Sequence, residues 1–371
     1  MKILFTGGGT GGHVYPIIAV KEALEKKNQE ADFLYVGPNS FSSTIFKIKG
    51  IKTKFILAGK LRRYFSLVNL IDLFKLPIGF IQSLWHLFWF MPDVIFSKGG
   101  YGSIPAILAG WLYKIPIVIH ESDSIPGLAN KIASHFAKKI ITSFESAKKY
   151  FPNKKTIVIG NPIRKELTMG SREDGIKMFS LKTELPTILI IGGSQGATKI
   201  NEIVLNILPR LLKKCQVIHI CGSKNLEKIR EHSRKILEKI NPIRAQTYHI
   251  YSFLTQKELK HAYAASDLII SRAGAGSIFE ISAIKKPSIL IPLSSSAANH
   301  QDKNAQALAK TKGAIVLQEE NLTMNMFLST IFDLLDNPEK IKEMGKQVKS
   351  FYKPKANQEI AEQILNYIPK K

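Results

Sequence analysis

Cysteine is almost absent: the 371 residues contain two, Cys215 and Cys221, both in the run CQVIHIC. Two cysteines in one strand-like run build no disulfide framework and suit a reducing compartment. With His219 between them they offer a conceivable metal site, but thiols packed into a core are the plainer reading. Acidic residues are scarce too: 29 Asp and Glu stand against 53 Lys and Arg, a formal net charge of +24. Such a chain is drawn to polyanions, whether nucleic acid, phosphorylated ligands or an anionic bilayer surface. No helix-turn-helix, zinc-finger spacing or RNP motif is present, which counts against nucleic acid. A secretory signal is missing as well, since the apolar run in MKILFTGGG is short and glycines follow it, so the expected location is cytoplasmic.

A clean membrane span is also lacking. The segment from Tyr64 to Met91 is apolar and aromatic, and between Leu76 and Pro92 it carries no formal charge, which borders on spanning length. Pro77, Gly79, Gln82 and His86 inside it argue against a span. Two readings stay open: a helix packed on a sheet, or a partly exposed apolar face that dips into a bilayer beside Arg62, Arg63 and Lys75.

What the chain does contain is a globular composition, 45% hydrophobic and 22% charged, over a length that suits two domains. Short β-branched runs recur: KILFTG, DFLYVG, DVIFS, PIVIH, TIVIG, TILIIGG, QVIHIC, DLIIS and SILIPL. Alternating with helical stretches, they predict strands buried on both faces in parallel α/β sheets. Each half opens as strand, glycine-rich turn and helix, first KILFTGGGTGGHVYP and then TILIIGGSQGATKIN. Gly and Asn-Pro punctuation in IGNPIRKEL places a domain boundary near residue 163.

One phrase is written twice. Residues 93–104 read DVIFSKGGYGSI and residues 267–278 read DLIISRAGAGSI, which suggests a duplicated domain. The copies differ two residues further on, where the second has Glu280 and the first has Ala106. A carboxylate there can accept both hydroxyls of a ribose while N–H groups from Gly274 to Ser277 hold the attached phosphates. The second copy is therefore suited to a nucleotide, and the first to a phosphate carrying no nucleoside. The plain alternative is two strand-to-helix turns retained from the duplication. GGGTGGH, at residues 7–13, can likewise receive a phosphate, but it is neither the dinucleotide fingerprint nor a P-loop. A nicotinamide-dependent oxidoreductase would use that turn for a pyrophosphate, and the lack of a well-placed acid after DFLYVGPNS counts against it.

GGGTGGHVYP, SKGGYGSIPA with HESDSIPGLANK, GNPIR, GGSQGA, and SRAGAGSIFEISA followed by NHQDKNA occur in this order and cover most of the chain. In these motifs it resembles the MurG family, bacterial UDP-N-acetylglucosamine:undecaprenyl-diphospho-muramoyl-pentapeptide N-acetylglucosaminyltransferases. The resemblance implies the GT-B architecture, two Rossmann-like lobes facing across a cleft. Residues 1–162 would form the lobe serving the acceptor and the membrane, residues 163–350 the lobe binding UDP-sugar, and residues 351–371 would return to the first lobe. It also implies inverting transfer of N-acetylglucosamine from UDP-N-acetylglucosamine to the muramoyl 4-hydroxyl of the polyprenyl-diphosphate acceptor, in peptidoglycan synthesis. The location implied is the cytoplasmic side of the cell membrane, bound peripherally to an anionic surface. The alternative is another GT-B nucleotide-sugar transferase with a different lipid acceptor.

Residue by residue, the resemblance brings Thr10, Gly11 and Gly12 toward the donor sugar or acceptor diphosphate, and Arg164 and Ser194 toward the donor diphosphate. Ala275, Gly276, Ser277, Ile278 and Phe279 line the nucleotide, Glu280 takes the ribose, Gln301 reaches the sugar and Leu254 lies by the uracil. Many members read His-Glu-Gln-Asn where this chain has His120, Glu121, Ser122 and Asp123. A sugar contact made by Asn elsewhere thus falls to Asp123, which accepts a hydrogen bond but donates none when ionised. Inverting transfer needs a base at the acceptor hydroxyl. His13 is the first candidate and Glu121 the second, against structural roles for His13 in orienting its loop and for Glu121 in capping the IPGLANK helix. No cofactor and no protein-bound metal is expected, as there is no Asp-x-Asp motif. A divalent-cation effect stays open, with Glu121 and Asp123 as conceivable ligands for Mg²⁺.

Overall fold

The structure is a computed structural model that describes residues 1–27, 30–39, 42–59, 67–193 and 196–369. The chain forms two compact units, Met1–Arg164 with Lys353–Lys371, and Lys165–Tyr352.

The first unit is built on seven parallel strands: β1 (Lys2–Thr6), β2 (Asp32–Gly37), β3 (Lys52–Phe55), β4 (Val94–Ser97), β5 (Ile117–Glu121), β6 (Lys139–Thr142) and β7 (Thr156–Val158). Their order is β3-β2-β1-β4-β5-β6-β7, with Ile3 of β1 paired to Phe33 on one side and Val94 on the other. Apolar side chains fill both faces, as helices on both sides of a parallel sheet require. Ile3 and Phe5 face one core layer and Leu4 the other. Phe5 stacks on Phe33 at 5.6 Å and meets Phe96 edge-on at 6.1 Å.

The second unit repeats the plan with β8 (Thr187–Ile191), β9 (Gln216–Ile220), β10 (Tyr248–Tyr251), β11 (Leu268–Ser271), β12 (Ser288–Leu290) and β13 (Ala314–Val316), in the order β10-β9-β8-β11-β12-β13. In each sheet the strand order reverses direction beside the first strand, between β1 and β4 and between β8 and β11. In open α/β sheets ligands bind at that switch point, outside the carboxyl ends of the strands. Both copies of the repeated phrase lie there. Each begins with the same fastening: Asp93 accepts the N–H of Lys2 at 2.7 Å, and Asp267 accepts the N–H of Thr187 at 2.8 Å. The phrase thus ties β4 to the start of β1 and β11 to the start of β8.

Both cysteines flank β9 in the core. The Cys215 thiol reaches the carbonyl of Leu211 and the Cys221 thiol that of Tyr251, while His219 is held by Tyr248 at 2.7 Å and Asn201 at 2.9 Å. Burial pushes the Cys215 thiol up to about 12, far from the thiolate a metal needs. These side chains therefore pack the core.

The aromatic segment forms a helix, Leu67–Phe90, with one face in the core and the other bare. Ser83 and Leu87 are buried, whereas Phe74, Ile78, Ile81, Trp85, Phe88 and Trp89 are exposed. Its polar residues tie down the tail of β3: Gln82 accepts the N–H of Leu57 at 2.7 Å, and His86 bonds the backbone of Phe55. Gly79 is needed because a Cβ there would lie 1.8 Å from the carbonyl oxygen of Leu57. Among the described residues no helix is long and apolar enough to cross a membrane. Arg62, Arg63 and Tyr64 lie outside the described residues.

The C-terminal helix Ala356–Leu365 belongs to the first unit. Ile360, Ala361 and Ile364 join the core under the helix Gly11–Lys27, and Asn357 bonds both backbone groups of Ile163, at 3.1 and 2.9 Å.

Candidate functional site

In the second unit the phrase ends in the helix Ala275–Ala283, whose N-cap is Gly274 with no side-chain cap. The first N–H groups of such a helix have no intrahelical partner and sit at the positive end of its dipole. A Cβ added at Gly274 or Gly276 would meet nothing within 4 Å, so a ligand can approach the backbone there. Ala275, Ile278 and Phe279 turn their side chains inward, the Phe279 ring packing against Phe351 at 5.0 Å. These three can serve a nucleotide through backbone alone, whereas Gly276 and Ser277 are half-buried at the rim.

Glu280 is half-buried on the same helix and accepts a hydrogen bond from the Tyr263 hydroxyl at 3.2 Å. That hydroxyl orients the carboxylate. Nothing in the run QKELKHAYAA marks Tyr263 as part of a site, because its signal is a contact across two helices. Leu254 is buried in the core while its neighbour Phe253 is exposed. Any uracil contact at Leu254 therefore falls to its backbone. Gln301, at the start of the helix His300–Ala309, accepts the N–H of Leu293 through its side-chain oxygen at 3.0 Å. The turn before it places Ala298 and Asn299 in succession at φ of 54° and 53°, a conformation that costs L-residues energy and persists only when its surroundings impose it. The GGSQGA turn has Gly193 and Gly196 at φ of 83° and 77°, and Ser194 lies outside the described residues.

The cation of this phrase does not face a ligand. Arg272 is buried, donates to the carbonyls of Ile291 and Pro292 at 3.2 Å each, and pairs with Glu319. Glu319 in turn accepts the N–H and hydroxyl of Ser294 at 3.2 and 3.1 Å. Arg272 thus braces the loop leading to Gln301.

In the first unit the turns after β1 and β4 lie against each other. Gly8 donates its N–H to the carbonyl of Gly99 at 2.8 Å, and a Cβ on Gly100 would approach the Cα of Gly8 to 3.0 Å. Gly99 and Gly100 are both left-handed, at φ of 80° and 83°, and a short turn, Tyr101–Ser103, precedes the helix Ile104–Leu112. This copy is therefore bent where the second runs directly into its helix. Ala106 is fully buried.

Thr10 and Gly12 are exposed at the start of Gly11–Lys27, with Gly11 buried beneath them. The Thr10 hydroxyl lies 2.8 Å from Nδ1 of His13. Burial, and then the charge of Lys98, lower the His13 pKa to about 4. Glu121 ends β5, and its carboxylate accepts three hydrogen bonds, from the N–H of Asp123 at 2.9 Å, the N–H of Gly127 at 3.2 Å and Nδ2 of Asn130 at 2.9 Å. Burial, followed by repulsion from Asp123, pushes it up to about 7. It binds the loop entering the helix Leu128–Phe136, so its lone pairs go to backbone and amide. Asp123 sits half-buried two residues on. Arg164 closes the first unit with its guanidinium 4.0 Å over the ring of Tyr15. Among the described residues no group of three or more His, Cys, Asp or Glu is placed to hold a metal ion.

Comparisons with known proteins fit this arrangement. Residues 3–142 match the glycosyltransferase family 28 N-terminal domain and residues 187–364 its C-terminal domain. The chain is 40% identical to UDP-N-acetylglucosamine–N-acetylmuramyl-(pentapeptide) pyrophosphoryl-undecaprenol N-acetylglucosamine transferase 2 of Bacillus cereus, over 92% of this chain and 93% of that protein. It is 38% identical to the transferase of that name from Clostridium tetani, over 92% of each. The crystal structure of MurG from Acinetobacter baumannii superposes with a TM-score of 0.74 at 24% identity, covering 98% of this chain and 99% of that one. With its two Rossmann-like units the fold is GT-B, and the chain belongs to the MurG family of glycosyltransferases.

Proposed function

We propose that this glycosyltransferase moves N-acetylglucosamine from its UDP carrier to the 4-hydroxyl of the muramoyl sugar in undecaprenyl-diphospho-muramoyl-pentapeptide. The observation carrying the donor half is the open N-terminus of Ala275–Ala283, with Gly274 and Gly276 bare and Glu280 held by Tyr263. Backbone N–H groups there receive the diphosphate and Glu280 the ribose hydroxyls. The anomeric carbon takes a bond from the acceptor oxygen on one face. On the other its bond to the diphosphate breaks, and the leaving electron pair stays on UDP, stabilised by those N–H groups. Backbone dipoles supply this without a protein-bound metal, and a divalent cation carried by the diphosphate itself is compatible with it.

The acceptor proton goes to His13, whose Nε2 is available beside the Thr10-bound Nδ1, whereas the Glu121 carboxylate already accepts three hydrogen bonds. For this, Nδ1–H donates to Thr10 and Nε2 accepts the proton, in a neutral ring. A diphosphate beside the ring raises its basicity. Gln301 adds a donor contact within the second unit, and Asp123 accepts a hydroxyl of the acceptor in the first.

The bare face of Leu67–Phe90 supports a peripheral seat on an anionic bilayer at the cytoplasmic side. Aromatic rings at Trp85, Phe88 and Trp89 form an edge-packed cluster at 5.6 and 5.7 Å between neighbours, as in amphipathic interfacial helices. Replacing Trp85 and Phe88 by Asp should abolish sedimentation with anionic vesicles while leaving UDP affinity intact. Unfolded variants would instead make the face part of the core.

The deciding experiment is transfer of labelled N-acetylglucosamine to a short-chain acceptor analogue. Clear UDP binding without transfer would leave a GT-B enzyme with another acceptor.

A further inference from the structure

The other cation of the repeated phrase is also turned inward. Lys98 is buried, and its Nζ lies 2.7 Å from Nδ1 of His120, against the Ser122 hydroxyl, and 3.4 Å from Oδ1 of Asn161. His120 passes the contact on: with Nδ1 accepting from the ammonium, its Nε2–H donates to the carbonyl of Gly160 at 3.0 Å. Of these contacts the one to Ser122 reaches the turn Glu121-Ser122-Asp123 at the end of β5, and the others fix Lys98 beside it.

The charges there are few and close. Lys98 is bound to Ser122, which lies between Glu121 and Asp123 in the chain, and the charges of both acids act on it. His120 and His13, the neighbouring titratable groups, are held neutral by burial first and by the Lys98 charge second. One buried ammonium therefore stands beside two carboxyl groups, Glu121 buried and Asp123 half-buried, where an uncompensated charge is expensive. Glu121 has three donors of its own. Asp123 adds a second negative charge to a turn whose hydroxyl, at Ser122, is bound to Lys98.

We propose that Lys98 is a positioning residue for the acceptor, matched to the acid at 123: it fixes the 121–123 turn and offsets the charge that Asp123 brings to it. This rests on the reading of the first unit as the acceptor side. Lys98 reaches no substrate itself and acts through Ser122 and the turn. Asn at 123 would need no such cation, so the two positions form one unit of specificity.

The test is a double-mutant cycle with Lys98→Met, Asp123→Asn and both together, in the full chain. Lys98→Met is expected to raise the acceptor KM about tenfold or more while the UDP-N-acetylglucosamine KM and UDP affinity by calorimetry stay within about twofold. Adding Asp123→Asn to Lys98→Met is expected to recover about half or more of the loss on a logarithmic scale. Ser122→Ala, which keeps every charge, should raise the acceptor KM alone by about threefold, and it carries the test if Lys98→Met does not fold. Losses that multiply independently, or that fall equally on the donor KM, would overturn the pairing. The same four chains are compared by thermal unfolding, where Asp123→Asn should restore the midpoint lowered by Lys98→Met. That arm needs no acceptor, so a wild type without transfer refutes the assigned acceptor and leaves the charge pairing to be judged on stability.

Discussion

The two copies of the repeated phrase share a scaffold and differ in what they offer. Asp93 and Asp267 fasten the first strands, and Lys98 and Arg272 brace the loop after the next strand. Beyond that the copies part. One bends through two left-handed glycines and buries Ala106; the other runs directly into a helix and presents Glu280. The lesson is that each rim is backbone, the cation beside it is internal bracing, and the copies part at one helix position, where Glu280 stands against a buried Ala106.

The sharpest break of that comparison is Ala106→Glu. It would place a carboxylate in the core of the first unit, and should cost about 3 to 5 kcal/mol in urea unfolding without creating a nucleotide site. A stable, UDP-binding first unit would mean the two copies are interchangeable after all. Glu319→Ala comes next, since it strands buried Arg272, and should cost about 3 kcal/mol. Burial alone would raise the Glu319 carboxyl, but hydrogen bonds from Arg272 and Ser294 and the guanidinium charge hold it below 4.5. Its contribution is therefore present above pH 4.5 and lost as pH falls through that lowered value, so Glu319→Gln should flatten the acid limb of the stability profile.

Glu280→Ala should weaken UDP binding by roughly 1 to 3 kcal/mol, read by calorimetry, with acceptor KM unchanged. Unchanged UDP affinity would remove the ribose assignment. Tyr263→Phe tests the smallest effect, about 0.5 to 1.5 kcal/mol on the same measurement, because the carboxylate remains and only its orientation loosens.

The long apolar runs were legible in the sequence because strands buried on both faces must be apolar throughout: KILFT, TILII and LIIS are instances. β3, β6, β10 and β13 were not. KTKF is a largely exposed edge strand, KIIT and AIV are very short, and YHIY is interrupted by a histidine, His249. At the site, Glu280 stood out because two copies could be laid against each other. The inward turn of Lys98 and Arg272 could not be seen that way, since both look like ligand-facing cations until Asn161 and Glu319, distant in the chain, are brought beside them. Tyr263 and Asn304, which holds the carbonyl of Ala273 at 3.3 Å, escaped for the same reason.

Because the two cations serve the interior, the rim of each turn is free to drift. A brace anchored in the core tolerates a changed codon at the helix position above it. A copied lobe can then take up a new cargo through one helix residue, without an interval in which the fold itself is at risk.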